Sequence, residues 1–236
     1  MPFYKVTYSE QYRRATVHNR GCNFRCLGCA YKVRNFPPVV SFPGLDEVKA
    51  AVAALDVDRV HFMGGEPTTC TDLPEMLRYC KQELSLVTYL GHTNGSAIPI
   101  ENLDGADVSF KAFSPEKHLE YTGTPAEPVY EGFRRAFDAG LDMRASTVYI
   151  PGFIDEDEVA AIANFIASLS EDIPFHVMGY IPIPGTPWPR PTDEQMQRVV
   201  AMTKGILRNV GSSHLTVEQV RNLDSRDSRF KVVQVL

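Results

Sequence analysis

The chain has 236 residues, 44% of them hydrophobic and 22% charged, with a formal net charge of −5. That composition excludes a disordered or collagen-like chain, and the length suits one large domain or two small ones. The slightly acidic balance offers no footprint for nucleic acid or an anionic membrane, and no window reaches the ~18 consecutive apolar residues of a bilayer span.

Residues 1–14 are polar and mixed, without the apolar stretch of a secretion signal, so a cytoplasmic location is expected. Strands are expected over 15–19, 59–63, 86–93, 107–113, 143–150 and 175–181, where short apolar or β-branched runs end in turn residues. Helical patterns lie between them. Leu45, Val48, Val52 and Leu55 recur at helical spacing, with Asp46 and Glu47 near the start, where the helix dipole favours anions. A second pattern spans 156–169 through Val159, Ile162, Ile166 and Leu169. A third starts near Asp193 and carries Met196, Val199, Thr203, Ile206 and Val210.

Strands alternating with helices argue for an α/β fold with a parallel sheet and helices outside it. About six such units fall short of the eight of a closed barrel, so an open or partial barrel is expected, read as one domain over 1–236. Ligands of such folds sit at the C-terminal ends of the strands, so functional residues should lie there. The Pro-rich segment 181–191 cannot be helical. It is expected as a loop on that face, either rimming the site or stiffly linking to the last helix. Residues 230–236 alternate and suggest an edge strand.

Five cysteines are few and odd in number for a disulfide scaffold. Cys22, Cys26 and Cys29 form a C-x3-C-x2-C loop directly after the first expected strand. A short loop can aim three thiolates at one point, and soft thiolates select zinc or an iron–sulfur centre. Zinc needs a fourth ligand, for which His18 is available. An iron–sulfur cube normally takes four cysteines, so three leave one iron open to a substrate or cofactor. Cys70 and Cys80 stand apart and give no second cluster. The strand at 59–63 runs into Gly64-Gly65-Glu66-Pro67, where two glycines let the backbone meet a ligand closely and Glu66 adds a carboxylate.

CNFRCLGC followed by GGEP resembles the radical SAM superfamily. Within it the chain is most similar to the compact activating enzymes of glycyl-radical enzymes. The shared landmarks are His92-Thr93-Asn94-Gly95, 107–111 with its lysine, and 148–152 with acidic residues after it. The resemblance implies a partial (β/α)6 barrel in which Cys22, Cys26 and Cys29 hold a [4Fe–4S] cluster. S-adenosylmethionine would bind the open iron, its ammonium held by Gly64, Gly65 and Glu66 and its carboxylate neutralised by Lys111. Asn94 and Ser146 would also line the cofactor site, with Arg144 on the same face as Ser146.

The implied chemistry is reductive cleavage of S-adenosylmethionine to a 5′-deoxyadenosyl radical that abstracts a hydrogen atom, with no side-chain acid or base needed. The implied role is activation of a glycyl-radical enzyme; the alternative is a small molecule or a peptide precursor as substrate. Flavodoxin or ferredoxin is the implied reductant. Several positions depart from the family pattern, among them Ser146 where the family has an arginine and Ile181 where it has a histidine. Gly28 stands where many members carry an aromatic residue, so either Tyr31 or Phe24 supplies that ring or none does. His92 and Ser109 replace two aspartates, so a monovalent-cation site is not expected. His176 is expected to be core or lumen, and His61 a packed strand residue.

Overall fold

The structure is a computed structural model, and it describes residues 2–33, 39, 41–222 and 231–236. Among the described residues, nine strands form one sheet in the order β8-β7-β6-β5-β4-β3-β2-β1-β9. The chain enters through β1 (Phe3–Ser9) and turns back into β2 (Arg14–Asn19), an antiparallel pair. From β2 onward each neighbouring pair is parallel. The strands that follow are β3 (Arg59–Gly64), β4 (Val87–Thr93), β5 (Gly105–Phe110), β6 (Asp142–Tyr149), β7 (Phe175–Gly179) and β8 (Val210–Ser213). A short β9 (Val233–Gln234) returns antiparallel along β1 at the far edge. Parallel neighbours need long crossovers, and helices supply them. These are α1 (Leu45–Ala53), α2 (Leu73–Arg78), α3 (Pro115–Thr122), α4 (Glu127–Asp138), α5 (Glu156–Ala167) and α6 (Asp193–Lys204). A short α7 (Val217–Arg221) follows β8.

The sheet is open, so the expected α/β partial barrel is what the chain forms. It is wider than the six units expected. Phe3 and Val6 of β1 are buried although FYKVTYS reads as polar and mixed, and β8 is built from VGSS. The helices α3 and α4 begin with proline in the first turn, where a missing N–H costs nothing.

Period-two alternation divides the wall into two faces. Val17, Val60, Phe62, Leu90, Val108, Ala145 and Val177 face the helices and are essentially inaccessible, in one core with Val52, Phe133, Ile162 and Val199. Their alternates are polar: Thr16 and His61, then Asp107, Ser109 and Ser146, then His176. Register aligns them side by side, with Thr16 beside His61, Ser109 beside Ser146, and Ser146 beside His176. This polar face is the lumen of the partial barrel. No helix among the described residues is long and apolar enough to cross a membrane.

Candidate functional site

The cysteine loop leaves the C-terminal end of β2 and is tied down on two sides. Arg25 N donates to Thr122 O (2.8 Å) and Leu27 N to Tyr121 O (2.9 Å), which seats the loop on the end of α3. On the other side, Gly65 N donates to Asn19 O (3.3 Å) and Glu66 N to Gly21 O (2.8 Å). The two glycines are required by this second contact. A Cβ on Gly64 (φ +138°) would lie 2.1 Å from Asn19 O, and one on Gly65 would lie 1.9 Å from Gly21 O. The close approach is thus first of all to the backbone of the cysteine loop. Gly65 itself remains exposed.

Glu66 does not point towards the loop. Its side chain is fully buried and takes four contacts from donors. Oε1 accepts from Thr68 N (3.1 Å), Thr68 Oγ1 (2.8 Å) and Thr93 Oγ1 (2.7 Å), and Oε2 from Asn94 N (2.6 Å). Burial pushes its pKa up, while these donors pull it back. All four of these contacts hold the Glu66 carboxylate within the protein. The group rivets the end of β3 to the end of β4, and what faces outward is the main chain of Gly64 and Gly65. Asn19 completes the joint, its Nδ2 donating to Glu66 O at 2.7 Å. Its place at the end of β2 is the one signal for Asn19 in the sequence.

Cys22 is exposed, and Cys26 and Cys29 are half-buried. Burial pushes the Cys22 thiol up, and the charges of Glu66 and Cys29 add to this; the Phe24 N–H, 3.3 Å from its Sγ, opposes it. Burial also raises Cys26, Lys111 opposes that rise, and the other two cysteines reinforce it. Cys26 therefore lies within electrostatic reach of Lys111 and of the other two cysteines. Asn94 Nδ2 reaches Asn23 Oδ1 (2.7 Å) and Cys22 Sγ (3.9 Å), so β4 touches the loop as well. Lys111 donates to Ser109 Oγ at 2.7 Å, just past the end of β5. Cys22, Cys26, Cys29, Gly64, Gly65, Asn94 and Lys111 thus gather at the C-terminal edge of the sheet.

Ser146 lies deeper. It is buried, and its Oγ donates to Asp107 Oδ1 (3.3 Å), whose other oxygen is 3.8 Å from His92 Nδ1. Arg144 stands one pleat below, over the Tyr89 ring. Tyr31 is exposed on the turn after Cys29. Phe24 is not available as a ring for a ligand, because it is buried edge-to-face against His118 (5.6 Å). Gly28 is glycine for a packing reason: a Cβ there would stand 2.4 Å from Tyr121 Oη and 2.8 Å from Tyr180 Cε2. The Pro-rich segment closes over these rings. Trp188 stacks on Phe153 (4.5 Å) and lies 5.9 Å from Tyr121, so the segment rims the cysteine loop. His61 stacks on Tyr89 and His176 bonds Ser213 in the lumen wall, as expected for both. Cys70 and Cys80 are buried away from the loop, and burial pushes Cys80 up to about 12.

The donor set distinguishes zinc from an iron–sulfur cluster. His18, the candidate fourth zinc ligand, has its Nε2 3.0 Å from Thr7 Oγ1 on β1. Among the described residues, no three or more His, Cys, Asp or Glu side chains are arranged to hold one metal ion. Thiolates of a cube each bind their own iron, so they need not converge on one point. Three thiols, a main-chain N–H on one sulfur and a nearby ammonium fit a cluster site.

The family model described as the Radical SAM superfamily matches residues 16–166. The chain belongs to the radical SAM superfamily. This family works with a [4Fe–4S] cluster and S-adenosylmethionine. A Methanocaldococcus jannaschii protein named "Putative glycyl-radical enzyme activating enzyme" is 27% identical over 180 residues, covering 71% of this chain and 68% of that one. A GTP 3',8-cyclase of Pelotomaculum thermopropionicum is 30% identical over 186 residues, covering 72% of this chain but 55% of the cyclase. The chain thus spans about two thirds of the first relative and about half of the second. In fold it is similar to a radical SAM methyltransferase from Sphaerobacter thermophilus (TM-score 0.62, 17% identity, 90% of this chain and 70% of that one).

Proposed function

We propose that this radical SAM enzyme is an activase that takes a hydrogen atom from a glycine of a partner enzyme. The observation that carries the reading is the likeness to the Methanocaldococcus relative over two thirds of that protein's length. An open sheet, which leaves the lumen approachable by a peptide loop, supports it.

In this reading Cys22, Cys26 and Cys29 hold three irons. The outward main chain of Gly64 and Gly65 accepts the ammonium of S-adenosylmethionine, and Glu66 keeps that main chain in position. Lys111 meets the cofactor's carboxylate, with Asn94, Ser146 and Tyr31 around the rest of it. When bound, cluster and cofactor together supply a reductive carbon–sulfur cleavage and a hydrogen-abstracting radical. The chain's own work is to orient the cofactor and keep water out, as is usual when a cofactor does the difficult chemistry. Trp188, Tyr121 and Tyr180 wall the loop against solvent. The reductant is a flavodoxin or ferredoxin, and the setting is cytoplasmic.

The test is direct. Reconstituted protein is mixed anaerobically with a reductant, S-adenosylmethionine and a candidate glycyl-radical enzyme. A glycyl radical in the partner, seen by electron paramagnetic resonance, is the expected result. 5′-Deoxyadenosine formed with a metabolite alone, and no partner radical, would favour the second reading. That reading, a small-molecule substrate, is favoured by the polar lumen at Asp107, His92 and Ser146.

Lys111 carries its own prediction. Lys111→Met removes a charge-assisted contact of roughly 1.5–3 kcal/mol, so affinity for S-adenosylmethionine should fall by about tenfold or more. Equilibrium dialysis with reconstituted protein measures it, and an unchanged affinity would remove Lys111 from the cofactor site.

A further inference from the structure

The chain carries a net charge of −5, yet Arg14, Arg59 and Arg144 gather around His61 at the lower end of its lumen. Arg14 of β2 and Arg59 of β3 are register neighbours, and one pleat above them Thr16 and His61 are neighbours in turn. His61 stacks on Tyr89 (5.2 Å), and the Arg144 guanidinium lies over the Tyr89 ring, 5.6 Å from its centroid. Arg14 is half-buried, and its Nε is enclosed without a hydrogen-bond partner. An enclosed guanidinium N–H with no acceptor is a standing cost, which an anion would relieve. Burial first, and then the charges of Arg14, Arg59 and Arg144, hold the His61 pKa at about 3, so at neutral pH the imidazole is uncharged and still has a donor to offer. Three carboxylates stand near: Asp142, 3.6 Å from Arg144; Asp58, which feels the charge of Arg59 but pairs with Arg13; and Asp107, engaged with Ser146 and His92. None of them satisfies the enclosed Arg14 Nε.

We propose that Arg14, Arg59, Arg144 and His61 form an anion subsite at the floor of the lumen, which holds a phosphate or carboxylate group of the substrate. Arg14 opens β2 and the cysteine loop follows its end, so floor and loop are separated by the length of a six-residue strand. At about 3.3 Å per residue this is roughly 15–20 Å. A substrate anchored here by its anionic end would carry its reacting carbon at the far end, near the cysteine loop. The subsite concerns how the substrate is held and stands whether that substrate is a small molecule or the acidic side chain of a peptide loop.

The test uses the reconstituted protein with S-adenosylmethionine present, at low ionic strength because such contacts are screened by salt. Isothermal titration with inorganic pyrophosphate forms one arm and glutarate the other. One saturable event per chain is expected in at least one arm, and the arm that responds tells phosphate from carboxylate. Arg14→Gln and Arg144→Gln should each weaken it about tenfold. Arg208→Gln, at an exposed pair with Glu171 and Asp172, should leave it unchanged. Should Arg14→Gln fail to fold, the half-exposed Arg144 still gives the answer, together with movement of the His61 imidazole resonance on adding the anion. No saturable binding in either arm, or equal binding by Arg144→Gln, overturns the proposal. Because the readout is binding, it succeeds or fails independently of whether a glycyl radical forms in a partner.

Discussion

Cys26→Ala, reconstituted anaerobically and reduced, should form no 5′-deoxyadenosine above background. Of the three cysteines, Cys26 is the one whose thiol Lys111 influences most directly, and the other two cysteines act on it as well. Without it, two thiolates remain for a cube that needs three protein ligands to present one open iron, and the lysine loses its anionic neighbour. The fold should survive, because the loop is held by main-chain bonds from Arg25 and Leu27 to the end of α3 and from Glu66 to Gly21. Iron content and the visible absorption of the cluster should fall together with cofactor cleavage, while thermal unfolding of the metal-free protein stays within a few degrees of the parent. Cys70→Ala is the matched control. Cys70 is buried beside α2, and its loss should leave cluster and cleavage intact. Cleavage that persisted in Cys26→Ala would break the assignment of the cluster to this loop.

Much of this arrangement could be read from the chain because the strands that carry the site are written in plain hydrophobic code. Val60 and Phe62, or Val108 and Phe110, are buried in the helix-facing layer, and such runs stand out in sequence. The same clarity holds for α1, α5 and α6, whose buried residues recur at helical spacing. What escaped was set by tertiary contact. The β1 strand alternates modest residues and is stabilised by pairing with both β2 and β9. The helices α3 and α4 are polar stretches with proline in the first turn, and proline invites a loop reading. In the site, the cysteine spacing and the strand-end glycines were legible, but their reasons were not. Gly28 is explained only by Tyr121 and Tyr180, which lie about 90 and 150 residues further along. The inward turn of Glu66 depends on Thr93 and Asn94 arriving at the same place from the next strand.

That inward turn gives the second large effect. Glu66→Gln should destabilise the protein by about 1–3 kcal/mol, since it leaves one buried main-chain donor unsatisfied. Oε1 receives Thr68 N and Oε2 receives Asn94 N, and both of those groups can only donate. An amide has one acceptor end. Whichever way it lies, its NH2 meets a main-chain N–H, and the two threonine hydroxyls, which can rotate to accept, cannot repair that clash. The urea midpoint should drop by about 1 M, given typical slopes of 1–3 kcal/mol/M. Affinity for S-adenosylmethionine should fall in step, because the joint between β3 and β4 sets where Gly65 and Asn94 stand. The pairing of the two readouts is what discriminates. A direct ligand of the cofactor would lose affinity in Glu66→Gln with no change in the midpoint; a rivet loses both, and Thr93→Val, which removes one hydroxyl donor to the same carboxylate, should then lose a smaller share of each.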